Sequence, residues 1–208
     1  MSTTRTLART TGVAVRAMLV FTLALGVAYT LVITGIGQLT MPWQANGSLV
    51  RDSSGTAVGS ALIGQAFTVP AEGDALPQYF QSRSSAATAG DDAGYDGGAS
   101  SGSNLGPENA DLIAAIEKRR AVIAEFEGVD PAVIPADALT ASASGLDPHI
   151  SPAYALLQVA RVAAERGLDE TALRELVESH VQQRDLGVLG EPRVNVLELN
   201  LALDALGR

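Results

Sequence analysis

The feature that most constrains this chain is a long apolar run near its N-terminus. Residues 17–37 read AMLVFTLALGVAYTLVITGIG, and no charged residue lies between Arg16 and Arg51. In a helix that rises about 1.5 Å per residue, a run of this length crosses a hydrocarbon core about 30 Å thick. The sequence therefore predicts one transmembrane helix at residues 17–38.

Charge is distributed unevenly about this run. Three of the 14 basic residues, Arg5, Arg9 and Arg16, lie before the apolar run, whereas the other 11 and all 23 acidic residues follow it and give the remainder a net charge of −12. The positive-inside bias then predicts cytoplasmic residues 1–16 and an extracytoplasmic domain at 39–208, a single-pass protein of the cell membrane in contact with its lipid. So acidic a domain repels phosphate backbones, which argues against nucleic acid as a partner.

A cleaved signal peptide is the competing interpretation of the apolar run. Residues 26–28, GVA, place small side chains where a signal peptidase could cut. Against cleavage, residues 29–37 stay apolar where a mature N-terminus usually turns polar. Pro42 would end the helix, and Trp43 suits the membrane interface, so an uncleaved anchor is favoured.

Small side chains recur at every fourth position within the predicted anchor. Such a series puts small groups along one helix face, where a second membrane helix can approach closely. Glycine and threonine are also common in membrane helices generally, so this feature alone leaves both interpretations open. The residues are Thr22, Gly26, Thr30 and Thr34.

The rest of the chain predicts one domain of the α+β class. Two β-prone stretches, 48–52 and 57–63, enclose a short polar loop and predict a hairpin. Apolar periodicity predicts helices at 110–127 and 152–166, a third after Asp169, and a last strand through Val194 and Val196 before a final helix. Helix-capping residues support these bounds. Asn109, Ser151 and Asp169 are candidate N-caps, and Gly128 and Gly167 are candidate C-terminal stops.

Residues 71–106 permit two interpretations. The segment is rich in Gly, Ser, Ala and Asp, which is typical of a flexible linker. It also carries Tyr79, Phe80 and Tyr95, aromatic residues that a pure spacer would lack and that an ordered functional loop would use.

Several kinds of chemistry lack the residues that they require. Cysteine is absent, and His149 and His180 are isolated, so we predict no metal site. Lys118 is the only lysine and does not follow the glycine of a phosphate-binding loop, and no GxSxG elbow occurs. Asp147, His149 and Ser151 alternate as a triad might, but triad members normally converge from separate elements, so a polar turn before a capped helix is the better explanation.

Six blocks give the sequence a specific likeness. They are WQANGS at 43–48, GSALIGQ at 59–65, YFQSR at 79–83, GSNLG at 102–106, TASASGLD at 140–147 and VNVLELNLALD at 194–204. In order and spacing, these blocks and the preceding helix resemble the C subunits (KdpC) of bacterial Kdp-type potassium-transporting P-type ATPases. The departures are small: RSSA at 83–86 has serine where the family usually has proline, Tyr-Asp at 95–96 replaces Tyr-Asn, and Ser-Gly at 101–102 replaces Gly-Gly. They bear on the rigidity of the loops more than on function.

The resemblance implies an accessory subunit that is not an enzyme by itself. Its partners would be a channel-forming potassium subunit and a P-type subunit that hydrolyses ATP. K⁺ would be the ion transported by the complex, and no cofactor would be tightly bound. The implied role is assembly, together with catalytic-chaperone action that raises the ATP affinity of the hydrolysing subunit.

The family-implied contacts with nucleotide or partner fall on one loop and one helix. By position they are Ser101, Gly102, Ser103, Asn104, Leu105 and Gln158. Helical periodicity puts Gln158 on the polar side of its helix, between Tyr154 and Arg161, so we expect an exposed amide that faces a partner or ligand.

Two alternative functions stand beside this one. The domain could be an external structural cap at the potassium entrance of the channel subunit, where its acidity would enrich K⁺ over a screening distance of about 8 to 10 Å. In a different class, the chain could be a membrane-anchored exported hydrolase, which two carboxylates or a Ser–His pair converging in a deep pocket would favour.

Overall fold

The computed structural model describes residues 2–69, 73–88 and 94–206. The chain divides into two compact units, Met1–Ser48 and Leu49–Arg208. The first unit is helical. It consists of α1 (Ser2–Phe21), a π-helical segment (Thr22–Tyr29), α2 (Thr30–Thr40) and the short α3 (Pro42–Ala45).

Continuous helix from Thr3 to Thr40 is long and apolar enough to cross a membrane. It ends at Met41, which leaves the helical region with φ −140° and ψ 57°, directly before Pro42. The predicted stop at Pro42 is therefore confirmed. The helix begins well before residue 17, because residues 2–16 contain no proline and extend the same helix, with Gly12 tolerated in its interior.

The second unit alternates short strands with helices, and the predicted α+β class is confirmed. In chain order its elements are β1 (Leu49–Arg51), β2 (Ala57–Ser60), α4 (Ala110–Glu127), a 3₁₀ turn (Pro131–Val133), α5 (Ala136–Leu139), β3 (His149–Ile150), α6 (Pro152–Leu157), α7 (Val159–Arg166), α8 (Glu170–Ser179), β4 (Val194–Asn195) and α9 (Val196–Leu206).

Two antiparallel strand pairs are present in the described residues. In the predicted hairpin, Leu49 pairs with Ser60 and Arg51 with Ala57 around a bulge. The Asp52 carboxylate closes its loop by accepting the Thr56 N–H at 3.0 Å. The second pair joins β3 to β4. Val196 was expected in that last strand but opens α9 instead, where the Asn195 side chain accepts the Glu198 N–H.

Helix ends follow the local signals. The side chains of Asn109, Ser151 and Asp169 each accept a first-turn N–H, and Gly128 and Gly167 end their helices with left-handed φ values of 67° and 63°. The helix predicted across 152–166 is, however, interrupted between α6 and α7.

The core is built mainly by the last four helices with strands β3 and β4. Its fully or nearly fully buried side chains include Ile150, Val159, Val162, Leu173, Val177, Val194, Leu199 and Leu203. Phe80 lies among them at 0% exposure, and burying such a ring contributes roughly 1.5–3 kcal/mol. The described parts of 71–106 thus pack as an ordered loop; residues 71–72 and 89–93 lie outside the described ranges.

Candidate functional site

An extended segment at residues 79–83 crosses the core with no neighbouring strand paired to it. Phe80 instead donates its N–H to the Asn200 side chain and accepts from that side chain's amide, both at 2.9 Å. Gln81 does the same with Gln158, at 2.7 Å for the N–H and 3.2 Å for the carbonyl. We call the buried pair Gln158 and Asn200 the amide clamp, since it replaces the hydrogen bonds that a neighbouring strand would supply.

Gln158 therefore does not lie where the sequence predicted. Its side chain is 0% exposed, and its oxygen also accepts from Arg161 at 2.9 Å, so the expectation of an exposed amide was wrong. Helical periodicity placed it correctly beside Arg161, but the covering Gln81 segment comes from a distant part of the chain. The interruption between α6 and α7 falls at this same residue.

Arg161 fixes the start of the clamped segment. Its guanidinium holds both oxygens of Glu127, at 2.9 and 3.1 Å, stands 4.5 Å from the Phe126 ring centre, and donates to the carbonyls of Pro77 and Tyr79. The Arg161 and Glu127 side chains are 7% and 0% exposed. Burial raises the pKa of Glu127, and the hydrogen bond and charge of Arg161 oppose that rise.

Arg83, at the end of the segment, organises residues 137–147. Its guanidinium pairs with Asp147 at 3.2 Å and donates to the carbonyls of Asp137 and Thr140 at 3.1 and 3.2 Å. The Tyr95 hydroxyl donates to the Arg83 carbonyl at 2.7 Å, and burial raises the pKa of Tyr95 to about 12.

Asp147, His149 and Ser151 belong to separate local pairs. The His149 ring and backbone N–H both contact the Asp147 carboxylate, at 3.2 and 3.0 Å. Burial alone would raise the pKa of Asp147, but these contacts and the Arg83 charge together lower it. The Ser151 hydroxyl donates to Asp137 at 2.8 Å and caps α6 by accepting the Tyr154 N–H. The predicted capped turn is confirmed.

Residues 101–105 lie against residues 142–145 through backbone groups. Ser101 donates its N–H to the Ser144 carbonyl at 3.0 Å. A Cβ on Gly102 would stand 2.5 Å from the Ala143 carbonyl oxygen, and one on Gly145 would stand 2.6 Å from the Ser101 carbonyl oxygen. Glycine is thus required at both close approaches.

The side chains of this loop face solvent. Ser101, Ser103, Asn104 and Leu105 are all exposed, and Asn104 adopts φ 54°. In the described ranges, no hydrogen bond or ion pair joins residues 101–105 to Gln158. The structure therefore brings together two of the six sequence blocks, 102–106 and 140–147, but holds Gln158 separately in the clamp.

A cleft of about 830 Å³ opens beside the clamped segment. Residues 81–85 form one wall and α4 contributes another, with Lys118, Arg119 and Phe126, while Tyr154 lines it from α6. The Lys118 side chain makes no hydrogen bond or ion pair to any described residue. The two cationic side chains that line the cleft could bind an anionic group, and Arg119 is held in place by donating to the Leu139 carbonyl at 3.1 Å. Across residues 2–69, 73–88 and 94–206, no three acidic or histidine side chains are grouped to hold a metal.

The four-residue series of the N-terminal helix begins within its π-helical segment. A Cβ on Gly26 would lie 3.8 Å from the Thr22 methyl carbon, so these two positions are neighbours on the helix surface. Thr30 bonds the Leu25 carbonyl, five residues back, at 3.5 Å. Thr34 is exposed in α2. A π segment inside a long helix is uncommon and often marks a functional position.

Asn200 is the site residue that the sequence interpretation missed. It recurs four residues after Val196 and three before Leu203, on the buried stripe of α9. A lone amide on such a stripe signals a buried polar group that needs a partner. The signal was present, although it does not identify Phe80 as that partner.

Comparison with known proteins matches nearly the whole chain. A sequence model of the KdpC family, described as "K+-transporting ATPase, c chain", matches residues 11–205. The potassium-transporting ATPase KdpC subunit of Caulobacter vibrioides NA1000 is 53% identical over 186 residues, 89% of this chain and 87% of that protein. That of Kineococcus radiotolerans is 52% identical over 89% of this chain and 88% of its own length.

A third relative extends the match slightly further. The KdpC subunit of Gemmatimonas aurantiaca is 53% identical over 195 residues, which cover 92% of each chain. The family match at residues 11–205 includes most of the N-terminal helix and nearly all of the α+β domain. On this similarity, the chain belongs to the KdpC family.

Proposed function

We propose that this chain is an accessory, non-catalytic subunit of an ATP-driven potassium import complex and assists its assembly. The observation that carries the proposal is the family match, which spans residues 11–205 and so includes the membrane-type helix as well as the domain. The proposed partners are a channel-forming potassium subunit and a P-type subunit that hydrolyses ATP, and K⁺ is the transported ion.

The chain is proposed to cross the cell membrane once, with residues 17–38 as the anchor. Arginine at positions 5, 9 and 16, and no acidic residue before Asp52, favour a cytoplasmic N-terminus. The domain at 39–208 is then extracytoplasmic, away from cellular ATP. Any influence on ATP affinity has to pass through the partner subunits.

Residues 101–105 are proposed as a partner contact in that route, and Gln158 as a residue that positions the contact surface. The exposed side chains of residues 101–105 are available for docking, whereas the hydrogen-bonding groups of Gln158 are already occupied within the amide clamp. The clamp sets the position of Gln81 and, two residues on, of Arg83, which holds residues 137–147 beneath the loop.

An external cap at the potassium entrance is the second candidate, favoured by the net charge of −12 on the domain. Carboxylates near the entrance would raise the local K⁺ concentration within a screening length of about 8 Å. This role needs no nucleotide contact.

Purification of the tagged full-length chain from native membranes tests the proposal. We expect the channel-forming and ATP-hydrolysing subunits to co-elute, as identified by mass spectrometry, and their absence would contradict it. In the purified complex, Leu105→Ala should raise the apparent KM for ATP and weaken directly measured nucleotide binding if the loop assists ATP affinity. Unchanged nucleotide binding with altered K⁺ dependence would support the cap.

A further inference from the structure

The loop between α8 and β4 folds back on itself as a hairpin that is closed by two isolated antiparallel bridges, and it carries an exposed apolar tip. Gln182 and Arg193 exchange both backbone hydrogen bonds at the base, at 2.8 and 3.0 Å, and Asp185 and Leu189 exchange both near the tip, each at 2.9 Å. Leu186 is 90% exposed and is the most exposed large apolar side chain in the described part of the chain. Val188 and Leu189, at 74% and 57%, complete what we call the hairpin tip.

The backbone of the tip adopts a left-handed conformation that leucine disfavours. Leu186 adopts φ 54° and the next residue, Gly187, φ 77°. Glycine enters this left-handed region freely, but a leucine rarely does, because its Cβ approaches the following carbonyl. A residue that is both strained and solvent-exposed has no folding reason to be apolar, and such outliers cluster at functional positions.

Charges along the hairpin cancel each other. Arg184 pairs with Glu191 at 2.5 Å, and Arg193 with Asp185 at 3.3 Å, so two basic and two acidic side chains leave no net charge. The domain as a whole carries −12. The hairpin therefore presents an uncharged apolar tip on an acidic body, which a neutral apolar pocket complements.

A lipid surface is a poorer match for this tip. Segments that rest in a membrane interface combine aromatic anchors with unpaired basic side chains. The hairpin tip has no aromatic residue, and both arginines beside it are already paired. Three rigid aliphatic side chains fit a protein pocket better, in the manner of the anchor residues that dominate protein interfaces.

We propose that the hairpin tip, residues 186–189, docks into an apolar pocket on a neighbouring transport subunit. This inference rests on the proposed function, since it names the surface by which the accessory subunit would engage its complex. It requires no contact by residues 101–105 or by the cleft.

Leu186→Gly separates docking from folding. Glycine relieves the left-handed strain, so the variant should melt at the same temperature as the original chain or higher. Docking should nevertheless weaken by at least about tenfold in Kd, as for loss of an interface anchor. Val188→Ser should weaken docking likewise, while Val133→Ser, at a position 59% exposed elsewhere on the domain, should leave it unchanged.

The measurement titrates fluorescently labelled full-length chain into the detergent-solubilised remaining transport subunits, free of added lipid. If the original chain does not bind, the proposed function fails. If it binds and Leu186→Gly binds equally well, only the hairpin proposal is overturned. If Leu186→Gly binds more weakly than the original chain only when phosphatidylcholine vesicles are present, the tip contacts lipid and the hairpin proposal is overturned. If the original chain self-associates and Leu186→Gly abolishes that self-association, the tip contacts a second copy and the hairpin proposal is likewise overturned.

Discussion

Gln158 shows how much a single residue's role depends on what covers it. The oxygen and the NH₂ of its side-chain amide pair with the backbone N–H and carbonyl of Gln81, and Arg161 donates a further hydrogen bond to the same oxygen. Nothing in the residues beside Gln158 distinguishes this from an exposed glutamine, because a side-chain amide suits water as well as a buried peptide group. Any effect of Gln158 on function must therefore come through the segment that it holds.

Gln158→Ala should lower the free energy of unfolding by about 1–3 kcal/mol, because it strands a backbone N–H and carbonyl and one donor of Arg161. Urea unfolding of the full-length chain in detergent, followed by circular dichroism, measures this. Gln183→Ala provides the matched control: that glutamine is exposed, and its loss should change stability by no more than about 0.5 kcal/mol. Equal stability of the two variants would show that the clamp does not stabilise the fold.

Among the helices and strands, the features that could be predicted from the sequence are those set by neighbouring residues, such as helix ends. Helix α4 begins after Asn109 and ends before Gly128 as expected, because a capping side chain and a left-handed glycine act within one turn. The clamp could not be predicted in this way. Its bonds join residues 77 and 120 positions apart, and no periodic pattern fixes which distant backbone will meet Gln158 or Asn200.

The small-residue face of the N-terminal helix is expected to pack closely against a membrane helix of another subunit. Gly26→Leu combined with Thr30→Leu should reduce co-purification with the transport subunits, because the added bulk blocks close backbone approach. The space around Gly26 allows a Cβ without a clash, so the helix itself should still form and insert. Gly35→Leu, off the four-residue series and with nothing within 4 Å of its Cβ position, is the control. Equal yields from both would exclude this face as the contact.

For the whole molecule, the division of charge predicts an orientation. Because the chain has no cysteine, single cysteines can be placed at Ser2 and at Ala114, an exposed position of α4. An impermeant thiol reagent applied to intact cells should label only the cysteine at 114, and permeabilised cells should label both. Labelling at Ser2 alone in intact cells would reverse the orientation.

The buried Glu127–Arg161 ion pair restricts which amino-acid replacements this protein can tolerate one at a time. Removing either partner leaves the other charge buried, at a cost of about 3–5 kcal/mol, whereas an apolar pair of similar volume can be tolerated. If only one of the two residues is replaced during evolution, the intermediate protein is therefore less stable. Arg161 also supports Pro77, Tyr79 and Gln158, which makes the change harder still. Among related chains, positions 127 and 161 should be replaced together or remain as they are.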